Sequence, residues 1–149
     1  MFGHAGVPTL VFPTSTGRFH DYEHRGMIEV LAHKFEIGEL QAVCVDSVDG
    51  ESWHNQGVHP RARVLRHLQY DRYISQDVIP WIRSRSSSSP LTLTGCDSGG
   101  YHAVNFSLRH PDLVTRCVSM AEFSVFIDFW MATMMITVTS TARKISCLI

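Results

Sequence analysis

The chain has no surplus of charge of either sign. Its 13 Lys and Arg stand against 14 Asp and Glu, for a net charge of −1. That leaves no basic field of the kind that draws nucleic acid or an anionic membrane. Met1 is not followed by a basic region and a long apolar run, so no signal peptide is expected and a cytoplasmic location is inferred by absence. The one largely apolar tract near the end, Phe123–Val138, is short for a membrane span and contains Asp128. Cysteine is scarce and scattered: Cys44, Cys96, Cys117 and Cys147 show no pair at metal-binding or thiol-redox spacing. Cys44 and Cys117 fall in apolar strand-like runs, as reduced core thiols of an intracellular protein do. No cofactor is expected. With 149 residues the chain is at most one domain, long enough for a proper core.

What is present is one strongly marked stretch, Leu91–His110, LTLTGCDSGGYHAVNFSLRH. A β-type run leads into a glycine-rich turn, and Gly99 and Gly100 open a helical pattern that ends at His110-Pro111-Asp112. Strand, tight turn and helix form the setting of the nucleophile elbow, G-x-S-x-G. Here the five residues are Gly95-Cys96-Asp97-Ser98-Gly99, so aspartate holds the nucleophile's place. The central residue of such a turn has a strained backbone, so its neighbours two before and two after must lack bulk. The amide of the following residue, Ser98, would point at a developing oxyanion beside the helix N-terminus. A glycine-rich strand-to-helix turn without chemistry is the bland alternative.

The rest of the chain supplies the surroundings of that turn. Thr9–Phe12 is a short apolar run that suits a buried parallel strand, and Pro13–Gly17 follows as a polar loop. In a hydrolase of this kind the loop after an early strand gives the second oxyanion amide, for which Ser15 and Thr16 are candidates. Glu23–Phe35 carries a helical stripe and Gly38 a stop; Leu40–Val45 is the next buried strand. In the loop Ser47–Pro60, Trp53 and His54 are candidates to line a substrate site. Arg61–Arg83 is the longest helical pattern, which Pro80 should kink or close. Ser84–Pro90 is a flexible loop, and Leu113–Met120 another short strand. The order β-α-β-α-β-α-β implies an α/β fold: a three-layer αβα domain with a mostly parallel sheet and ligands at the strands' carboxyl ends, where Asp97 falls.

The segments Gly3–Phe19, Cys44–Trp53 and Thr94–Asp112 resemble the esterase family of α/β-hydrolases that takes in esterase D-like enzymes, feruloyl esterases and mycolyltransferases. The resemblance runs from about Gly3 to Asp128 and implies a serine carboxylic-ester hydrolase acting on a small-molecule ester. Asp97 then falls where the family has its serine, and Ser98 supplies an oxyanion amide. The family's acid and histidine lie beyond the matching stretch, which implies a partial, inactive α/β-hydrolase domain over residues 1–128. An incomplete sheet would leave apolar faces and edges open to self-association.

Residues 129–149, FWMATMMITVTSTARKISCLI, follow the stretch of resemblance and are threonine-rich, with no recognisable turn punctuation. Because Trp and Met have single codons, Phe-Trp-Met-Ala-Thr-Met-Met-Ile read one nucleotide earlier is forced to Leu-Asp-Gly-x-x-Asp-Asp-x, and each x is confined to Tyr, His, Asn or Asp. Relatives carry a stretch like LDGYYDDN at this point, so the tail is expected to be out-of-frame translation.

Three chemistries are open at Asp97. It could be a carboxylate nucleophile of the dehalogenase or epoxide-hydrolase type. It could be a disabled serine position, the favoured reading. Or Ser98 could act in its place, although a one-residue shift on a tight turn would misdirect its hydroxyl. His102 is expected to be structural, His110 to suit the dipole at its helix's end, and Glu122 is a weak candidate acid. A different class is zinc hydrolysis, since His20-Asp21-Tyr22-Glu23-His24 fits H-x-x-E-H with His20, Glu23 and His24 as the working residues. A polar loop is the bland alternative there, and no metal is expected.

Overall fold

The computed structural model describes residues 1–86, 90–120 and the strand 146–148. Four apolar runs make the sheet: β1 (Val7–Phe12), β2 (Leu40–Cys44), β3 (Thr92–Cys96) and β4 (Arg116–Met120), with β5 (Ser146–Leu148) at the far edge. The strand order is β2-β1-β3-β4-β5 and every ladder is parallel. β5 is the part of the 129–149 segment that is described; it lies alongside β4, with Ser146 opposite Arg116. Residues 121–145, which include Glu122, lie outside the described residues.

Helices lie on both faces, so the architecture has three layers. On one face α4 (Pro60–Tyr73), a π-turn (Ile74–Val78), α5 (Ile79–Arg85) and α6 (Ser98–Arg109) close over the sheet. Leu10, Ile74, Ile79, Leu93 and Ala103 meet there in the main core, each at most 1 % exposed. On the other face α1 (Asp21–His24), α2 (Met27–Val30) and α3 (Ala32–Glu36) cover the β1–β2 half through Phe35, Val11 and Ala42. In β4 the residues facing that second side, Arg116, Val118 and Met120, are exposed.

The single helix expected over Glu23–Phe35 is broken into three. Gly26 sits at φ 75°, the left-handed region where glycine has no steric penalty, and this turns the chain after one helical turn. The long pattern Arg61–Arg83 starts one residue early because Pro60 takes the first helical position. The His59 ring caps it there by accepting from the Arg61 amide at 3.2 Å. Pro80 does not end it. The π-turn just before Pro80 widens the backbone where the ring would otherwise press on the preceding turn, and α5 continues to Arg85.

Candidate active site

The corner after β3 is held open by two glycines. A Cβ on Gly95 would press against the backbone of Gly99, and one on Gly99 against the carbonyls of Phe12 and Pro13. This pair lets the N-terminus of α6 pack directly on the ends of β1 and β3. Between them Asp97 has φ 57° and ψ −127°, a strained conformation for a residue with a side chain. The turn is therefore imposed by its glycine neighbours, and it sits at the carboxyl end of the sheet.

The polar loop after β1 meets this corner. Ser15 donates its amide to Asp97 Oδ2 at 3.2 Å and its hydroxyl to the same oxygen at 2.6 Å. The Ser15 and Ser98 hydroxyl oxygens are 2.6 Å apart. An ionised carboxylate can only accept, so the Ser15 proton goes to Asp97 and the Ser98 hydroxyl donates to Ser15. The chain of bonds runs Ser98 to Ser15 to Asp97. The Ser15 hydroxyl, and after it the amides of Ser98 and Ser15, hold the Asp97 carboxyl below the usual carboxylate range, against partial burial and the charge of Asp49.

The expected site residues thus separate. Asp97, Ser98 and Ser15 come together; Asp97 is exposed and Ser98 only 2 % exposed, its hydroxyl turned inward. Thr16 lies one residue on, at φ 54°, without a bond to Asp97 among the described residues. Trp53 is not on a loop surface but buried, its ring 4.6 Å from that of His67, whereas His54 is exposed. The His20 and His24 rings lie 4.7 Å apart, yet among the described residues no group of three His, Cys, Asp or Glu side chains could hold a metal ion.

Two features of the site were not foreseen. A mostly apolar cleft of about 210 Å³ opens beside the corner, lined by Phe12, Tyr22, Cys44, Cys96 and Met120 with Arg18 and Arg25 at its polar side. Behind the corner lies a buried polar cluster. His102, 4 % exposed, bonds through Nε2 to Oδ1 of the fully buried Asp49 at 2.8 Å. His102 also stacks on Phe12 and on His67, which links the cluster to the strand carrying the Ser15 loop. His67 Nε2 lies 3.0 Å from the Asn105 amide nitrogen and accepts from it. His110 reaches sideways rather than only along its helix, with Nε2 3.0 Å from Asp71 Oδ2, where Arg109 also binds.

A parallel three-layer sheet with a strained strand-to-helix corner at its carboxyl edge defines the α/β-hydrolase fold, and the comparisons with known proteins agree. The chain belongs to the family described as "Putative esterase", which it matches over residues 6–143. No curated protein matches it. Among solved structures it is similar to S-formylglutathione hydrolase (FrmB) from Staphylococcus aureus, with a TM-score of 0.53 and 15% identity over 83% of this chain and 45% of that one. It is also similar to FphF, a fluorophosphonate-binding serine hydrolase of Staphylococcus aureus, at 0.54 and 16% over 94% and 49%. An S-formylglutathione hydrolase from Agrobacterium tumefaciens gives 0.56 and 18% over 78% and 47%. The chain spans less than half the length of each of these structures. Among the described residues, no helix is long and apolar enough to cross a membrane.

Proposed function

We propose that the chain is a carboxylic-ester hydrolase in descent and an inactive one in practice, with Asp97 at the nucleophile's place in the elbow. The observation that carries this reading is the state of that carboxylate. Oδ2 takes two bonds from Ser15, and the group is held in its ionised form. A carboxylate so satisfied is a weak nucleophile and a weak base. An aspartyl ester, if formed, would still need a base to activate water. Among the described residues no histidine bonds to Asp97, and His102 and His67 are committed to Asp49 and Asn105. Ser98 as nucleophile is disfavoured by its burial and its inward hydroxyl.

The substrate class follows from the surroundings. The Ser15 and Ser98 amides form the kind of donor pair that stabilises a tetrahedral oxyanion. The apolar cleft next to Cys96 suits the acyl or alkyl part of a small ester. Turnover of p-nitrophenyl acetate by the wild type and by Asp97→Ala should be the same and close to the buffer rate. A wild-type rate well above background that falls in Asp97→Ala would restore catalysis to this residue.

We also propose an out-of-frame origin for residues 129–149, carried by the forced reading Leu-Asp-Gly-x-x-Asp-Asp in the shifted frame. It is tested by the nucleotide sequence around the Asp128 codon. A shifted frame that does not continue as an esterase disproves it.

A further inference from the structure

The corner has the donors of an anion site, and an anion already sits in it. The Ser15 amide and the Ser15 hydroxyl both end on Asp97 Oδ2, and the Ser98 amide favours the charged form of the same carboxylate. The α6 N-terminus, with Ser98 as its first residue, contributes its dipole. No Lys or Arg side chain is bonded to Asp97 among the described residues: Arg18 is paired with Asp46, and Arg25 reaches Thr14. Neutral donors therefore do the whole work of holding the charge. The donors are also fixed in direction, because the Ser98 hydroxyl is buried and engages Ser15 from behind, leaving the Ser15 proton only the Asp97 side to serve.

We propose that the corner is a carboxylate-binding pocket closed by its own ligand. The Asp97 side chain occupies, from within the chain, the place where the Ser15 amide, the Ser15 hydroxyl and the Ser98 amide would otherwise hold an external carboxylate, the acid released from an ester. Aspartate at this position does more than omit a nucleophile. It fills the oxyanion donors and puts a negative charge in the path of any incoming anion. The inference rests on reading the corner as a hydrolase site, and it adds that the site is blocked rather than merely unreactive.

The test uses the whole chain labelled with ¹⁵N, with sodium acetate as the probe at neutral pH. Asp97→Gly removes the carboxylate and also suits the positive φ. In this variant the Ser15 and Ser98 amide signals should move saturably with acetate, while in the wild type they should not move. Asp97→Asn keeps the place filled without the charge, and it should leave acetate excluded. Equal acetate binding in wild type and Asp97→Gly overturns the proposal, as does a folded Asp97→Gly that binds none. Binding by Asp97→Asn as tight as by Asp97→Gly overturns it too, because repulsion and not occupancy would then be the cause. Should Asp97→Gly not fold, the wild type still decides. Its Ser15 and Ser98 amide protons should resonate downfield and move upfield in Asp97→Asn; unchanged positions refute the internal bond. Ester turnover on the same samples keeps the two readings apart, since failure of acetate to bind ends this proposal and leaves the hydrolase reading standing.

Discussion

Replacing Asp49 with alanine should destabilise the fold by about 1–3 kcal/mol, the usual cost of leaving a buried hydrogen-bonding group without its partner. Asp49 is fully buried, and His102, its partner at 2.8 Å, is 4 % exposed. Burial by itself would raise the Asp49 pKa. The bond and charge of His102, with smaller contributions from Ser47 and His54, together outweigh it and hold the carboxyl below its ordinary value. The pair is not in itself a large source of stability, since the desolvation of two polar groups offsets most of their attraction. Its removal is costly because the His102 ring, enclosed by Phe12, Tyr70 and His67, would be left with an unanswered donor. Asp49→Asn keeps an acceptor of the same shape and should cost clearly less. Urea unfolding of the two variants and the wild type measures the difference. An alanine variant as stable as the wild type would show that the bond is not closed in solution.

The second large effect is acid sensitivity carried by His67. Burial, then the neighbouring His102 and Arg109, push its pKa down from 6.5 to about 3. An unfolded chain binds a proton at this residue below pH 6.5, whereas the folded chain refuses it until about pH 3. The unfolded state thus holds more protons across that window, so stability falls as the pH is lowered through it. At 1.36 kcal/mol per pH unit, the full span amounts to about 5 kcal/mol. Asp49 acts in the same direction, because its depressed pKa gives stability that is lost as the pH drops through the folded value. His67→Gln retains an acceptor for Asn105 but does not titrate. Its melting temperature should decline less steeply between pH 6.5 and pH 4 than that of the wild type, and identical acid limbs would remove His67 as the cause.

Much of the scaffold could be read from residues alone. The buried strands announce themselves as short apolar runs, and the five residues Gly95–Gly99 give away the corner because only small residues fit where α6 meets the ends of β1 and β3. Local patterns were less informative where a single backbone event overrides periodicity. Gly26 separates the first short helix from the second, a further break at Leu31 divides the apolar stripe itself, and the π-turn absorbs Pro80 without ending the helix. None of these leaves a mark in the spacing of apolar residues. The histidines were the least legible feature. His102 with Asp49, His67 with Asn105 and His110 with Asp71 are partners 53, 38 and 39 residues apart. Such contacts depend on the packed fold, and nothing in a neighbourhood of a few residues encodes them. Trp53 illustrates the same gap: its loop looks exposed, but the ring fills the space beside His67.

The two glycines on either side of Asp97 have a consequence for how such a protein changes over time. They fix the bend whatever stands at its apex, so the occupant of position 97 can be exchanged without rebuilding the frame. Architecture and reactivity are then inherited separately, and a chain can keep the outline of a catalyst long after selection has stopped asking for turnover.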